Sequence, residues 1–478
     1  MTMFNDLRQY IDAVKELGEL KLIEGADWDL EIGAITEMQA KPNTPLLLFD
    51  KIKGYNAGYR VVTNLAASLK RVALILGLPR EMGEGQAIDL VRAIRGRTKQ
   101  GIVPIPPRTL ETGPVKENIH RNGDVDLFEF PTPKWHELDG GRYIGTGDMV
   151  IIRDPDGGWV NLGTHRVQIH DKTTATISMA PGSHNDILRR RYWAKGKACP
   201  AAVSCGQDPL LWLVSTVKIP WGISEYDYTG WLRDKPVDVI QGEITDLPIP
   251  ASAEIVLEGE IPPPEIETRM EGPFGEFTGY YVGLKPEPVF RVKCILHRNN
   301  PILQGNTEFR IKPLFYWGRN ILRAAEIWHE MEKRITGIEG VWIMEETAHT
   351  SPVVSIKQQY PGHAKEAGLA AKVATDHLCK LVIVVDDDID PSNLSEVLWA
   401  LGTRWDPETG TDIIRGTRGS RLDPLLPPEK RSRGEFTGST AILTACKPYS
   451  RIKDFPVRAE ASQDLMKKIR KGWKGVLE

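Results

Sequence analysis

Two glutamates five residues apart, in Glu271-Gly-Pro-Phe-Gly-Glu276, have the spacing in this chain that most invites chemistry. Pro273 and its flanking glycines exclude a helix and force a tight turn, which can bring both carboxylates to one rim of a cavity. At about 5 Å and an effective dielectric near 20 such a pair repels by roughly 3 kcal/mol, so one group ionises while the other's pKa climbs towards that of a general acid. A nearby cation decides which stays charged. Most glutamate pairs at this spacing are solvated loop residues; the Gly-Pro-Phe-Gly filling argues otherwise.

Other candidates are weaker alone. His184 follows Pro-Gly-Ser, where a helix-start or surface role is commoner than metal ligation, and Ser183 can cap a helix beginning near Asn185. That helix N-terminus would offer N–H groups to a phosphate. Glu225 alone reads as solvated. Asp386, Asp387, Asp388 and Asp390 after an apolar run suit Mg²⁺ or, more plainly, a charged turn before the next helix. Arg189, Arg190 and Arg191 suit a phosphate, a subunit or an ordinary solvated face. His363 stands in a Pro-Gly-His turn, where a structural role outweighs an approach to the substrate pocket, and His165 reads as a structural strand residue.

Taken in order, several stretches resemble the UbiD family of prenylated-flavin decarboxylases. Glu271-Gly-Pro-Phe-Gly-Glu276 with the following Gly-Tyr is similar to its signature, and Asn161-Leu-Gly-Thr-His-Arg166 to its strand with an asparagine five residues before an arginine. Pro181-Gly-Ser-His184 and Ile223-Ser-Glu225-Tyr-Asp-Tyr resemble its metal-ligand segments, and Asp139-Gly-Gly-Arg-Tyr143 its turn into the flavin domain. Tyr360-Pro-Gly-His-Ala-Lys365, Val385 to Pro391 and Arg418-Gly-Ser-Arg-Leu-Asp-Pro424 extend the likeness through the last third.

The resemblance implies a catalytic network of Arg166, Glu271 and Glu276. Arg166 faces the substrate carboxylate and pairs with Glu271, leaving Glu276, not neutralised by the arginine, as acid and base. It implies Asn161, His184 and Glu225 as ligands of Mn²⁺ or a similar divalent ion, accompanied by K⁺. Prenylated FMN is held by these three with Thr164, His165, Arg166 and Ser183. The implied reaction is reversible decarboxylation of an aromatic or heteroaromatic acid, releasing CO₂, with a flavin prenyltransferase supplying the cofactor and a homodimer or homohexamer as the assembly. The rivals are an accessory flavin-binding subunit, a decarboxylase of α,β-unsaturated acids, and a metal-dependent hydrolase built on His184 and Glu225.

The elements that must position these residues fall into three parts. Phe4, Leu7, Tyr10, Ile11, Val14 and Leu17 repeat at helical spacing, with Gly18 at the stop. A second helix is read near residues 85–98, and Pro104, Pro106 and Pro107 mark a boundary. Met149 to Arg153, a turn at Asp154, and Trp159 to His170 read as a hairpin, continued by strands at Ala201–Ser204, Leu211–Val217, Glu254–Leu257 and Val289–Leu296, with one helix around Asp186–Lys195. Asn161 and Arg166, five apart, face opposite sides of a regular strand, so irregular pairing near Gly163 is required if both serve one site. The last third alternates: a helix Trp317–Arg334, a buried strand Leu381–Val385, a helix after Pro391-Ser392, and a closing helix carrying Leu465, Met466, Ile469 and Trp473 on one side. With the resemblance, the fold class is α+β multidomain: an N-terminal α/β segment (1–115), a central FMN-binding split β-barrel (116–305) and a C-terminal α/β domain (306–478) lining the pocket and supporting oligomerisation.

At 478 residues and 41% hydrophobic content the chain can bury more than one core. Lysines and arginines number 61 against 64 acidic residues, which favours neither nucleic acid nor an anionic membrane as partner. Cys199, Cys205, Cys294, Cys379 and Cys446 are odd in number and form no C-x-x-C, so a reducing cytoplasm fits and a disulfide framework does not. No apolar run has signal-peptide or membrane-spanning length.

Overall fold

Ten strands between Asn118 and His297 make one antiparallel sheet, and its longest member, Lys285–His297, pairs with four others: Thr268–Glu271 and Thr174–Ser178 towards its start, Ile255–Ile261 and Asn118–Arg121 towards its end. A strand that changes neighbours along its length curls the sheet, and a register shift at Glu258/Gly259 adds to the bend. The structure is a computed structural model and describes residues 4–40, 44–306, 316–375 and 378–473.

The opening helix is Leu7–Glu16, capped by Asp6, with Leu7, Tyr10, Ile11 and Val14 buried. Each such aliphatic residue contributes about 1.5–3 kcal/mol on burial. A four-stranded sheet follows in the order Leu20–Glu24, Leu46–Asp50, Arg60–Thr63, Ile302–Gln304. Its last strand returns from the far end of the central segment, pairing parallel with Arg60–Thr63. The C-terminal sheet runs Ile338–Met344, Ser351–Ile356, Leu381–Asp386, Thr437–Ala445, Thr411–Arg418, covered by the helices Tyr316–Glu332, His363–Ala374 and Leu394–Arg404. The helix Ala87–Thr98 packs on Tyr316–Glu332, where Arg95 pairs with Glu332 and lies over the Trp328 ring.

Two expected elements differ. Leu211–Val217 is no strand: Pro209–Ser215 is a helix with Pro209 in its first turn and Asp208 accepting from Leu210 N–H at 2.9 Å. Every residue of that helix is buried, so the apolar run carries no helical period, and the cap and proline were the usable signals. Trp159–His170 is no single strand either. Val160–Gly163 pairs with Asp148–Arg153, whereas Arg166–Ile169 pairs with Tyr143–Gly145 and Thr174–Ser178. Thr164 and His165 belong to neither ladder, which supplies the irregularity that Asn161 and Arg166 require.

In the closing helix Gln463–Gly472, Leu465, Met466 and Ile469 are exposed, as is Trp473 at its cap. Among the described residues no helix is long and apolar enough to cross a membrane.

Candidate functional site

Arg166 opens its strand opposite Ser178, and Glu271 closes the strand Thr268–Glu271 opposite Lys285. Past Glu271 the chain turns at Gly272, whose φ of 96° suits glycine, into the short strand Phe274–Gly275. The Asp139-Gly140 turn braces this segment. Gly140 N–H donates to the Pro273 carbonyl at 2.8 Å, and Gly275 N–H donates to Asp139 Oδ1 at 3.0 Å. A Cβ on Gly140 would lie 1.8 Å from the Gly272 carbonyl oxygen, so only glycine permits this approach.

The turn delivers both glutamates to one guanidinium. Arg166 Nε donates to Glu271 Oε1 at 2.6 Å and Nη2 to Glu271 Oε2 at 2.8 Å, while Nη1 donates to Glu276 Oε1. The side chains are 8%, 0% and 13% exposed for Arg166, Glu271 and Glu276. Burial opposes both charges in the Arg166–Glu271 pair, yet Glu276 and Glu271 together raise the guanidinium's pKa above its usual value. Likewise burial works against the Glu271 carboxylate, but Arg166, Lys285 and Arg421 hold its pKa below the ordinary range. Tyr143 Oη lies 3.3 Å from Glu271 Oε1, and the Arg166 guanidinium stacks 5.2 Å from the Phe274 ring centre.

This arrangement corrects one expectation. Glu276 is not the glutamate left free by the arginine, because the fork of guanidinium N–H groups serves both carboxylates at once. The distinction lies in grip and depth: Glu271 is held at both oxygens and fully buried, whereas Glu276 has one bond to Arg166 and is slightly exposed.

Two cations that sequence reasoning missed stand beside the trio. Lys285 Nζ donates to Ser178 Oγ at 3.0 Å, pairs with Glu287 and lies 4.0 Å from Glu271 Oε2. Arg421 Nη2 donates to the same Ser178 Oγ at 3.1 Å from the C-terminal part of the chain. Burial pushes the Lys285 ammonium down to about 8 despite Glu287, with Arg421 and Arg166 adding to the fall. Arg421 lies in Arg418-Gly-Ser-Arg-Leu-Asp-Pro424, where the resemblance gave it no role. Lys285 had no spacing to betray it, since its partners come together only by strand pairing.

Asn161, His184 and Glu225 form a second cluster. His184 Nδ1 lies 3.1 Å from Asn161 Oδ1, and Glu225 Oε2 accepts from the N–H of Leu162 at 2.7 Å. Asn185 fixes the Asn161 amide by accepting from its Nδ2 at 2.8 Å, which leaves Oδ1 turned to His184. Glu225 is buried, its carboxyl is pushed up to about 8 by that burial, and it pairs with no cationic side chain among the described residues. Burial lowers the His184 pKa, keeping the imidazole neutral between the Trp159 and Trp221 rings. A neutral imidazole, an amide oxygen and a carboxylate without a counter-charge suit a divalent ion.

Ser183 caps the helix His184–Ala194. Thr164 is occupied structurally: its Oγ1 donates to the Asp148 carbonyl at 3.0 Å and its N–H to the Ser215 carbonyl at 3.2 Å. His165 sits in the break between strands, not on one as expected. Its Nε2 meets Asn185 Nδ2 at 3.2 Å, and burial lowers its pKa to about 3, so it stays neutral. Asn185, absent from the candidates, thus joins Asn161 to the residue before Arg166.

The weaker candidates resolve as structure. His363 takes the Gln359 N–H at Nδ1 (3.2 Å) and bonds the Thr336 carbonyl through Nε2 (3.0 Å). Asp386 and Asp388 are held by Arg404 and Lys447, and Asp390 accepts from Ser392 N–H at 2.9 Å. Arg189 and Arg190 pair with Asp186, and Arg191 with Asp154.

Comparison with known proteins matches residues 108–310 to the 3-octaprenyl-4-hydroxybenzoate carboxy-lyase Rift-related domain, and residues 11–85 and 317–445 to the N- and C-terminal domains of the same name. A pyrrole-2-carboxylic acid decarboxylase of Pseudomonas aeruginosa is 33% identical over 93% of this chain and 91% of its own length. The vanillic acid decarboxylase of Sedimentibacter hydroxybenzoicus superposes with a TM-score of 0.85 at 28% identity, covering both chains fully. An evolved dimeric form of the UbiD-class enzyme HmfF from Pelotomaculum thermopropionicum, solved with prenylated FMN, gives 0.82 at 26% identity over 97% of this chain and 98% of its own.

Proposed function

We infer, from the premise that this chain belongs to the UbiD family of carboxy-lyases, that it decarboxylates an aromatic or heteroaromatic carboxylic acid with a flavin as cofactor. The observation that carries the reading is the Arg166 guanidinium shared by Glu271 and Glu276, with Lys285 and Arg421 alongside.

Charge balance gives these residues their parts. Three cations (Arg166, Lys285, Arg421) face three carboxylates (Glu271, Glu276, Glu287), so the cluster is neutral as it stands. A substrate carboxylate adds one negative charge, and a proton on Glu276 restores neutrality. Glu276, held by one bond, is the carboxylate that can give up its place on Arg166. Cleavage leaves the electron pair of the C–C bond on the substrate carbon as neutral CO₂ departs, and the Glu276 proton completes the C–H bond. Glu271, gripped at both oxygens, keeps Arg166 oriented and charged.

An aryl carbanion has no stabilisation of its own, and a prenylated flavin, when bound, supplies the electron sink. Asn161, His184 and Glu225 would hold a divalent ion, Mn²⁺ in this proposal with K⁺ nearby, that anchors the flavin phosphate at the helix N-terminus capped by Ser183. Thr164 and His165 shape the same wall. The segments 1–115, 116–305 and 306–478 are proposed as units, the central one binding flavin and the last one closing the pocket and supporting a homodimer or homohexamer. A flavin prenyltransferase would supply the cofactor. Five buried cysteines, none joined in a disulfide, suit a cytoplasmic setting.

The test is reconstitution with prenylated FMN and measurement of CO₂ release from a panel including pyrrole-2-carboxylate, vanillate and other phenolic acids. Turnover of at least one acid, lost in Glu276→Gln, supports the reading. Holo-protein with the modified-flavin spectrum but no CO₂ from any acid would indicate an accessory subunit instead.

A further inference from the structure

At the far end of the strand that begins with Lys285, His297 meets His120 and Glu129, three residues to which the decarboxylation gives no work. Twelve residues separate Lys285 from His297, about 40 Å of extended chain. In the antiparallel pairing His120 stands opposite Ile295, so His297 lies on the same face two residues along. Glu129 arrives from the 3₁₀ turn Leu127–Glu129.

The geometry is that of a ligand set. His120 Nδ1 is 3.2 Å from Glu129 Oε2, His297 Nε2 is 3.6 Å from Glu129 Oε1, and one donor atom from each residue lies within 4.8 Å of the others. His297 is 3% exposed, and its Nε2 is buried without a hydrogen-bond partner. Its other nitrogen, Nδ1, sits 2.9 Å from the Arg298 carbonyl. A carbonyl only accepts, so Nδ1 carries the proton. In that tautomer Nε2 turns its lone pair towards Glu129 Oε1 3.6 Å away, acceptor against acceptor. A bound cation removes the conflict.

We propose that His120, Glu129 and His297 bind a divalent first-row metal ion at a site separate from the flavin site. Two imidazole nitrogens and a carboxylate oxygen match the donors that Zn²⁺ and its neighbours take, with remaining positions open to water. The supporting contacts are in place: the Arg298 carbonyl orients His297, and Tyr59 Oη donates to Glu129 Oε1 at 3.0 Å. A cavity of about 560 Å³ lined by His120, Asp124, Asp126 and Glu129 gives the ion an entry. Because Tyr59 precedes the strand Arg60–Thr63, the ion clamps the N-terminal sheet, the connecting segment and the central sheet together.

The experiment uses the full chain, stripped with a chelator and titrated with Zn²⁺ against a chromophoric competitor. Glu225→Gln, which disables the proposed flavin-site ligands, retains one tight equivalent, and adding His120→Asn removes it. Tyr59→Phe weakens that equivalent roughly 10- to 100-fold. In the otherwise native chain His120→Asn lowers the Zn²⁺ count by one and abolishes the part of the Zn²⁺-dependent rise in Tm that Glu225→Gln preserves. Equal stoichiometry and equal Tm response with and without His120→Asn overturn the proposal.

Discussion

Lys285 and Arg421 donate to one hydroxyl, Ser178 Oγ, at 3.0 and 3.1 Å, one from the central sheet and the other from beyond the C-terminal strand Thr411–Arg418. Two cations sharing one neutral acceptor repel each other, and the neighbouring carboxylates of Glu271, Glu276 and Glu287 offset that repulsion. In the proposed reaction the substrate carboxylate is a further anion for this pair, taken up as Glu276 gains a proton. Arg421→Ala is expected to raise KM more than it lowers kcat, with kcat/KM falling about 10- to 150-fold, the value of one charge-assisted contact. Steady-state kinetics on the best acid of the panel reads this, and a change below about twofold would remove Arg421 from substrate binding.

Glu276→Gln and Glu271→Gln should separate by stability as well as by rate. Removing the Glu276 proton donor is expected to lower kcat by about 10²- to 10⁴-fold, with a smaller loss of stability than Glu271→Gln, since that side chain makes one bond to Arg166 and is 13% exposed. Glu271→Gln breaks a two-bond buried pair and leaves Arg166 partly uncompensated, costing about 3–5 kcal/mol of stability. Denaturant unfolding alongside kinetics distinguishes them. Should Glu276→Gln keep turnover within tenfold, the proton comes from elsewhere.

How far the chain itself announced this site depends on which interactions are local. Glu271 and Glu276 were legible because Gly-Pro-Phe-Gly encodes the turn between them, the helix start at Ser183 because a capping side chain bonds its own helix, and the helix after Pro391-Ser392 because those residues mark a start, although the cap itself is Asn393. Arg166 and the trio Asn161, His184, Glu225 could be named only by likeness, since no local rule places an asparagine against a histidine 23 residues on. Lys285, Arg421 and Asn185 escaped altogether, because their partners meet them through strand register and domain contact. The helix Pro209–Ser215 was misread for a related reason: complete burial erases the periodicity that marks a helix at a surface.

Gly140→Ala tests whether the Asp139-Gly140 turn positions Glu271. The added methyl would collide with the Gly272 carbonyl, and relieving the overlap requires one of the two turns to move. A displacement near 1 Å at the carboxylates is worth about 10²-fold in rate, whereas overpacking costs about 1–3 kcal/mol of stability. Gly96→Ala, in the helix Ala87–Thr98 with nothing within 4 Å of the new Cβ, is the contrast and should stabilise by about 0.5–1 kcal/mol without touching turnover. Unchanged kcat in folded Gly140→Ala would mean that the turn bears no part in aligning the glutamates.

Lys285 sets an alkaline limit. Burial lowers its ammonium to about 8, so the cation proposed to draw in a carboxylate is present below that pH and fades as pH rises through it. KM is therefore expected to climb above about pH 8 while kcat changes less. Stability moves the opposite way: the folded chain penalises the charged form, a penalty fully present below about 8 and relieved as pH rises towards the lysine's ordinary value of 10.5. A group that loses substrate affinity while gaining fold stability over one pH window is hard to mimic by general alkaline denaturation. Lys285→Arg keeps the charge through this range and should carry good binding to higher pH. An alkaline rise in KM at the same pH in Lys285→Arg would show that a different group titrates.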